Sequence, residues 1–287
     1  MTYRGRFAPS PTGLLHFGSL AAAVGSWLCA RHADGQWLVR VEDIDPPRQV
    51  PGSAQAILSA LPAFGLVADL PALFQSKRQA AYDAAFERLR AADLVFPCWC
   101  SRAQLAGEEG IHRDGHCIAP PEPDRPPAWR LRVPDVTIAF DDALQGPQRQ
   151  NLREAAGDFV IRRVEGYYAY QLACVVDDAF QQITEVVRGN DLLDSTPRQI
   201  WLQRCLGLPT PVYRHLPLAL DEQGRKLSKS AQAHPVDPAD PLPALRQVLA
   251  FLDVQTSAAA SDVPALLASA LERFDPVRLP PLAARPV

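Results

Sequence analysis

Long apolar runs are missing from this chain. No stretch of its 287 residues approaches the roughly 20 apolar residues needed to cross a bilayer. The N-terminus, Met1-Thr2-Tyr3-Arg4, runs into a strand-like segment with no apolar signal region. A cytoplasmic protein that avoids the membrane is therefore expected. Cysteine is too sparse for a disulfide scaffold, with six residues at 29, 98, 100, 117, 174 and 205. A global excess of positive charge is also lacking. The formal net charge of -3 excludes a molecule-wide basic field but leaves room for a local basic patch. No internal repeat is found.

What is present is an ordinary packed composition, 47% hydrophobic and 21% charged. The length suits one large domain or two to three smaller units with a sizeable core. Residues 3–8 read as a short strand, and Pro9, Pro11 and Gly13 then force an extended, turning loop. Residues 15–32 read as an Ala/Leu-rich helix, and 37–41 as a second strand ending at Glu42-Asp43. A strand–helix–strand unit predicts a parallel sheet, with polar residues at the strand ends facing a ligand crevice. Helices are expected over 53–64 and 78–93. Residues 158–163 and 183–188 read as strands. A helix over 195–206 is expected, with Ser195 as its cap and Pro197 in its first turn. Residues 212–220 read as extended and 221–224 as a turn. The remainder, 240–287, reads as helical with a proline-rich end.

Two short runs carry the chemistry. His16-Phe17-Gly18-Ser19 opens the first helix, where unpaired backbone N–H groups and a partial positive charge favour phosphate. Gly18 would let a nucleotide approach the backbone, and His16 can donate to a phosphate oxygen. For His16 alone, capping the helix is the plainer reading. Far downstream, Lys226-Leu227-Ser228-Lys229-Ser230 offers two compact cations suited to departing pyrophosphate. Each run alone could be incidental. The pair, on one α/β pattern, predicts a chain folded so that both meet one nucleotide, with His16, Lys226 and Lys229 as catalytic candidates and His16, Gly18, Ser19 and Lys229 as ATP-binding candidates.

With the runs Arg6–Gly13, Arg40–Asp45 and Arg188–Leu192 added, the chain resembles the catalytic half of class I glutamyl-tRNA synthetases over roughly 1–97 and 158–232. His-Phe-Gly-Ser departs from the common His-Ile-Gly-His at its second and fourth positions. The resemblance implies an α/β fold of class I synthetase type: a Rossmann-type parallel sheet, an inserted zinc-containing subdomain and a C-terminal helical region. It implies catalytic halves at 1–97 and 158–206, the insert at 98–157, and the signature loop with a helical region at 207–287. The implied reaction is ATP-dependent activation of glutamate, with Mg2+ accompanying ATP and no protein nucleophile. Arg6, Phe7, Ala8, Pro9 and Ser10 would line the glutamate pocket. Glu42 would meet the substrate ammonium, while Tyr170 and Arg188 complete the site, Arg188 by bidentate carboxylate binding. Alternatively, Arg188 is a surface ion-pair partner, Tyr170 a core aromatic and Glu42 a helix-cap acceptor. Only residues 231–287 follow the lysine loop, less than a separate anticodon-binding module usually needs. No such domain is expected. In this the chain resembles the family of glutamyl-queuosine tRNA(Asp) synthetases, which implies tRNA(Asp) carrying queuosine as the partner. A monomer is the working expectation.

Cys98-Trp99-Cys100 and Cys117 cluster in the loop-rich segment, with His112 and His116 close by. Zinc takes four N, S or O ligands in a tetrahedron. One structural zinc ion on Cys98, Cys100, Cys117 and His112 is expected, with His116 as the alternative fourth ligand and buried free thiols as the plainer reading. The resembled family has Cys-x-Cys, a Tyr and a Cys here, and this chain carries no Tyr. Cys29, Cys174 and Cys205 read as core. Other readings are a glutamate ligase charging a tRNA 3′ end, a small-molecule adenylyltransferase, and a non-catalytic zinc-containing RNA-binding paralogue.

Overall fold

The computed structural model describes residues 2–101, 103–105, 110–227 and 235–287. Strand β1 (Arg4–Phe7) leads through a proline-rich loop to helix α1 (Phe17–His32), which returns to β2 (Gln36–Val41) parallel to β1. Helix α2 (Ser53–Ala60) and a 3-10 turn at Leu61–Phe64 precede β3 (Leu73–Phe74), parallel to β2. Helix α3 (Gln79–Ala91) follows.

Next come β4 (Val95–Cys98), β5 (Ala128–Leu131), the hairpin of β6 (Thr137–Asp142) and β7 (Gly146–Asn151), the short α4 (Leu152–Ala155) and β8 (Phe159–Arg162). Sheet pairing crosses both expected ends of the 98–157 segment. Antiparallel β4-β5-β8 joins residues on either side of it, and β6 pairs in parallel with β10 (Val212–Leu216).

Helix α5 (Tyr170–Phe180), β9 (Glu185–Gly189) and α6 (Thr196–Leu206) complete the second half, with β10 parallel to β9. The Thr184 N–H donates to the Arg4 carbonyl at 3.0 Å, so β9 begins beside β1. The parallel strands thus run in space as β3-β2-β1 and then β9-β10, reversing direction of progress between β1 and β9. In such sheets ligands bind where the order reverses, beyond the carboxyl ends of the strands.

Side chains of β2 alternate between two cores. Trp37 and Val39 pack with α1, α2 and the C-terminal helices α7 (Pro241–Phe251) and α8 (Val263–Arg273), whereas Leu38 packs with α3, α5 and α6. Helices therefore cover both faces, which is why β2 buries apolar side chains on both sides. Helix α1 is buried nearly all round, between sheet and α7. Its Gly25 is needed there: a Cβ would stand 2.6 Å from Leu216 Cδ1.

Two local expectations change. Ser195 makes no cap bond, because a 3-10 turn at Asn190–Ser195 runs straight into α6; its Oγ instead accepts from Gln171 Nε2 and Arg198 Nη2. The extended 212–220 segment is two strands divided at Pro217. The second, β11 (Leu218–Leu220), pairs in parallel with β12 (Ala284–Pro286) in the proline-rich end expected to follow helix.

Candidate active site

A cavity of about 670 Å³ opens at the carboxyl ends of β1, β9 and β10, beside the N-terminus of α1. Arg6, Phe7, Ala8, Pro9, Ser10, His16, Gly18, Ser19, Glu42, Tyr170, Arg188 and Lys226 all line it. Lys229, with Ser228 and Ser230, lies outside the described residues.

The loop after β1 cannot continue as strand because of its prolines. It is held across the sheet end instead: Glu42 N–H donates to the Pro9 carbonyl and Val50 N–H to the Pro11 carbonyl, both at 2.9 Å. His16 is the helix cap. Its Nδ1 accepts from Ser19 N–H at 3.3 Å, while Ser19 Oγ accepts from His16 N–H at 3.0 Å. Burial, and then Lys226, push the imidazole below its ordinary value. A neutral ring that accepts at Nδ1 carries its proton on Nε2. Capping and phosphate donation are thus compatible, each using one ring nitrogen. A Cβ on Gly18 would meet only the His16 ring, at 3.4 Å, so bare backbone faces the cavity.

The flanks of the lysine loop are tied to this helix end. Val236 N–H donates to the Leu15 carbonyl at 2.9 Å, and Lys226 forms an ion pair with Asp191.

Arg6 and Arg188 line the cavity and Arg40 is buried beside Arg6 and Glu42; the three have different partners. Arg6 Nε meets Asp178 Oδ1 at 3.2 Å. Arg40 reaches Asp178 at 2.6 Å and Glu42 Oε1 at 3.1 Å. Burial alone would raise the Asp178 carboxyl, but Arg40 and then Arg6 hold it well below the usual range. Among the described residues Arg6 Nη1 has no acceptor and Glu42 Oε2 no donor. Burial pushes the Glu42 carboxyl up against the opposing pull of Arg40 and Arg6.

Arg188, 4% exposed, forms no ion pair among the described residues. Its Nε donates to His215 Nε2 at 3.0 Å, Nη1 to Gln199 Oε1 at 2.8 Å and Tyr170 Oη at 3.2 Å, and Nη2 to Thr196 Oγ1 at 2.8 Å and the Leu192 carbonyl at 3.3 Å. All five N–H donors are engaged with uncharged acceptors. The expected bidentate grip on a carboxylate therefore requires exchange of existing partners. Burial keeps the Tyr170 phenol protonated, so Tyr170 can itself donate to an incoming carboxylate.

Sequence reading assigned no role to Arg40, Asp142, Asp178, Thr196, Gln199 or His215. Arg40 lies in β2 and Glu42 follows its last residue, and their side chains meet at 3.1 Å. An arginine inside an apolar strand signals a buried carboxylate partner, but nothing in the order of residues says that it is Asp178. Cys174 is not plain core: its Sγ meets Arg6 Nη2 and Arg40 Nη2, and burial pushes its thiol up to about 12.

In the segment beyond β4, the Sγ atoms of Cys98, Cys100 and Cys117 lie within 4.8 Å of one another. Cys100 and Cys117 are 3.7 Å apart, against about 3.8 Å for the edge of a tetrahedron with 2.3 Å Zn–S bonds. Trp99 N–H donates to Cys117 Sγ at 3.2 Å and Arg130 Nε to Cys98 Sγ at 3.3 Å, contacts that favour thiolates. The donor set fits zinc. His112 does not join it. The ring is wholly buried, its Nδ1 is 3.1 Å from Asp158 Oδ2, and it packs on Phe96. His116 is also outside the group, its Nδ1 against the Asp114 carbonyl at 2.8 Å. Among the described residues no fourth His, Cys, Asp or Glu completes the site.

A parallel sheet with helices on both faces, a helix N-terminus and Lys226 lining one cavity, and buried arginines nearby define an α/β protein with a crevice suited to anionic ligands. Residues 2–240 match the family model for tRNA synthetases class I (E and Q), catalytic domain. The glutamyl-Q tRNA(Asp) synthetase of Xanthomonas axonopodis pv. citri (strain 306) is 58% identical over 281 residues, 97% of this chain and 93% of that one. That of Burkholderia mallei (strain ATCC 23344) is 53% identical, covering 95% of this chain and 96% of its own. A crystal structure of a glutamate tRNA ligase from Elizabethkingia meningosepticum, in complex with its amino acid, superposes with a TM-score of 0.80 at 24% identity, over 99% of this chain and 67% of that one, and shows the shared fold. The chain belongs to the class I tRNA synthetases of the E and Q group.

Proposed function

We propose that this chain activates glutamate with ATP and transfers the glutamyl group to queuosine in the anticodon loop of tRNA(Asp). The observation that carries the glutamate reading is Arg188: a buried guanidinium without an ion pair among the described residues, in the same cavity as the α1 N-terminus and Lys226. A buried cation held only by neutral acceptors favours an anionic ligand. Arg6 Nη1 and the Arg188–Tyr170 pair would take the two carboxylates, and Glu42 Oε2 the ammonium. The relatives named above, more than half identical over nearly the whole chain, supply the tRNA(Asp) target.

In the first step a carboxylate oxygen of glutamate attacks the α-phosphorus of ATP. The bond from that phosphorus to the bridging oxygen breaks and pyrophosphate leaves. His16 Nε2–H, the backbone at Gly18 and Ser19, and Lys226 would stabilise charge on the phosphates, with Lys229 expected to join them. Mg2+ would accompany ATP. In the second step a queuosine hydroxyl attacks the activated carbonyl, releasing AMP. Cys98, Cys100 and Cys117 would hold one structural zinc ion, which ties the two sides of their loop together and takes no part in either step. A monomer in the cytoplasm belongs to the same reading. The test is glutamate-dependent exchange of labelled pyrophosphate into ATP. Exchange with glutamate and none with glutamine is expected; no exchange with glutamate would overturn the proposal.

A further inference from the structure

We propose that Asp142 and His215 are positioning residues for Arg188, holding its guanidinium toward the cavity, charged and unpaired, as the receptor for a substrate carboxylate. This rests on the reading of the cavity as a glutamate site.

Asp142, His215 and Arg188 lie on three neighbouring strands, β6, β10 and β9, and His215 stands directly opposite Arg188 in the parallel register. Asp142 ends β6, in the segment that also carries the cysteines. Its Oδ1 receives backbone N–H groups of Leu144 at 3.0 Å, Gln145 at 2.9 Å and His215 at 3.2 Å, and its Oδ2 lies 2.5 Å from His215 Nδ1. A carboxylate so surrounded by donors is held as an anion. Burial opposes this, but the His215 contact and these N–H groups bring the carboxyl below its ordinary value.

An anionic Asp142 requires a proton on His215 Nδ1. The lone pair of Nε2 then faces Arg188, whose Nε–H donates to it at 3.0 Å. An imidazolium would set N–H against N–H. Both Asp142 and His215 are buried, at 3% and 0% exposure.

The choice of imidazole matters. A carboxylate at position 215 would pair with Arg188 and cancel its charge before substrate arrives. A neutral imidazole accepts from Arg188 without cancelling the charge, and Asp142 fixes its tautomer and orientation, as outer carboxylates do for histidines in other sites. The groups facing His215 are Asp142 from β6, Arg188 from β9, Arg6 from β1, Thr196 from α6 and Tyr213 on its own strand. Burial disfavours its protonation, Asp142 favours it, and Arg188 and Arg6 oppose it; the outcome is a value below the ordinary one.

The experiment measures KM for glutamate and for ATP in pyrophosphate exchange, across pH, for the parent protein and for His215→Phe, His215→Gln and Asp142→Asn. His215→Phe is expected to raise KM for glutamate at least tenfold, with KM for ATP within twofold. His215→Gln, which keeps an acceptor, should recover part of that loss. In Asp142→Asn the acid limb of kcat/KM for glutamate should move to lower pH, because the group favouring the imidazolium is gone. The conservative variants keep the test decisive should His215→Phe not fold. Equal changes in both KM values, an unchanged KM for glutamate, or an acid limb that does not move in Asp142→Asn would overturn the inference and leave a structural role only. A parent protein without glutamate-dependent exchange would overturn the functional reading itself, and this inference with it.

Discussion

Glu42 and Arg6 join a buried ion-pair network to the wall of the cavity. Each spends part of its side chain on a buried ion pair and, among the described residues, leaves one atom without a partner, Oε2 in the first and Nη1 in the second. Glu42→Gln keeps the shape but removes the charge that would meet an ammonium. It is expected to raise KM for glutamate roughly tenfold to a hundredfold, read by exchange kinetics, since a hydrogen bond to a charged group is worth about 1.5–3 kcal/mol. The two depressed histidines set a pH dependence. In the folded chain His16 and His215 favour the neutral ring. Their contribution to stability is whole above about pH 6.5, the ordinary histidine value, and is lost as pH falls from there through the lower folded values. A denaturation series should therefore show stability falling below about pH 6.5, and His16→Gln should remove part of that slope. Most of the cavity-lining residues were legible because they stand in short contiguous runs. His215 and Asp142 were not, because they lie 73 residues apart in sequence and meet only once β6 pairs with β10.

At the scale of elements, the N-terminus of α1 and Lys226 line one cavity. The periodicity of 15–32 and the prolines before it made this helix readable, and its capping box agrees with its sequence. Lys226 is fixed by Asp191, so its charge is partly committed within the protein. Lys226→Ala is expected to slow exchange roughly tenfold, and Lys229→Ala by roughly a hundredfold or more, while glutamate binding measured by calorimetry stays within twofold in both. The cysteine loop is a separate element with its own test. Cys100→Ser should lower zinc below one ion per chain by elemental analysis and lower Tm by roughly 5 °C or more. A parent protein without zinc would contradict the site. The layout of the resembled family pointed to His112, but its buried Nδ1 is partnered by Asp158 and the ring lies outside the thiol group. The pairing of β11 with β12 could not be read from Ala284-Arg285-Pro286, since two short strands distant in sequence carry no periodic signal.

For the whole molecule, the decisive feature is the reversal of strand order between β1 and β9, which opens the cavity and faces it with residues from both halves of the chain. The strand–helix–strand pattern at 3–41 foretold a parallel sheet. It could not foretell that the 98–157 segment contributes strand β6 to that sheet, because an insert's composition does not say what its hairpin pairs with. Through Asp142 on β6 and His215 on β10 the segment that carries the cysteines also reaches Arg188, so the cavity depends on more of the chain than its motifs. Membership of the class I E and Q group accounts for activation of an amino acid. Where the glutamyl group is delivered is the central claim. The measurement that tests it most directly is mass spectrometry of nucleosides from tRNA(Asp) incubated with protein, ATP and glutamate, alongside tRNA(Asp) lacking queuosine. The account predicts glutamate on queuosine and no labelling of the unmodified tRNA. Equal labelling of both, or glutamate on the 3′-terminal nucleoside, would contradict it.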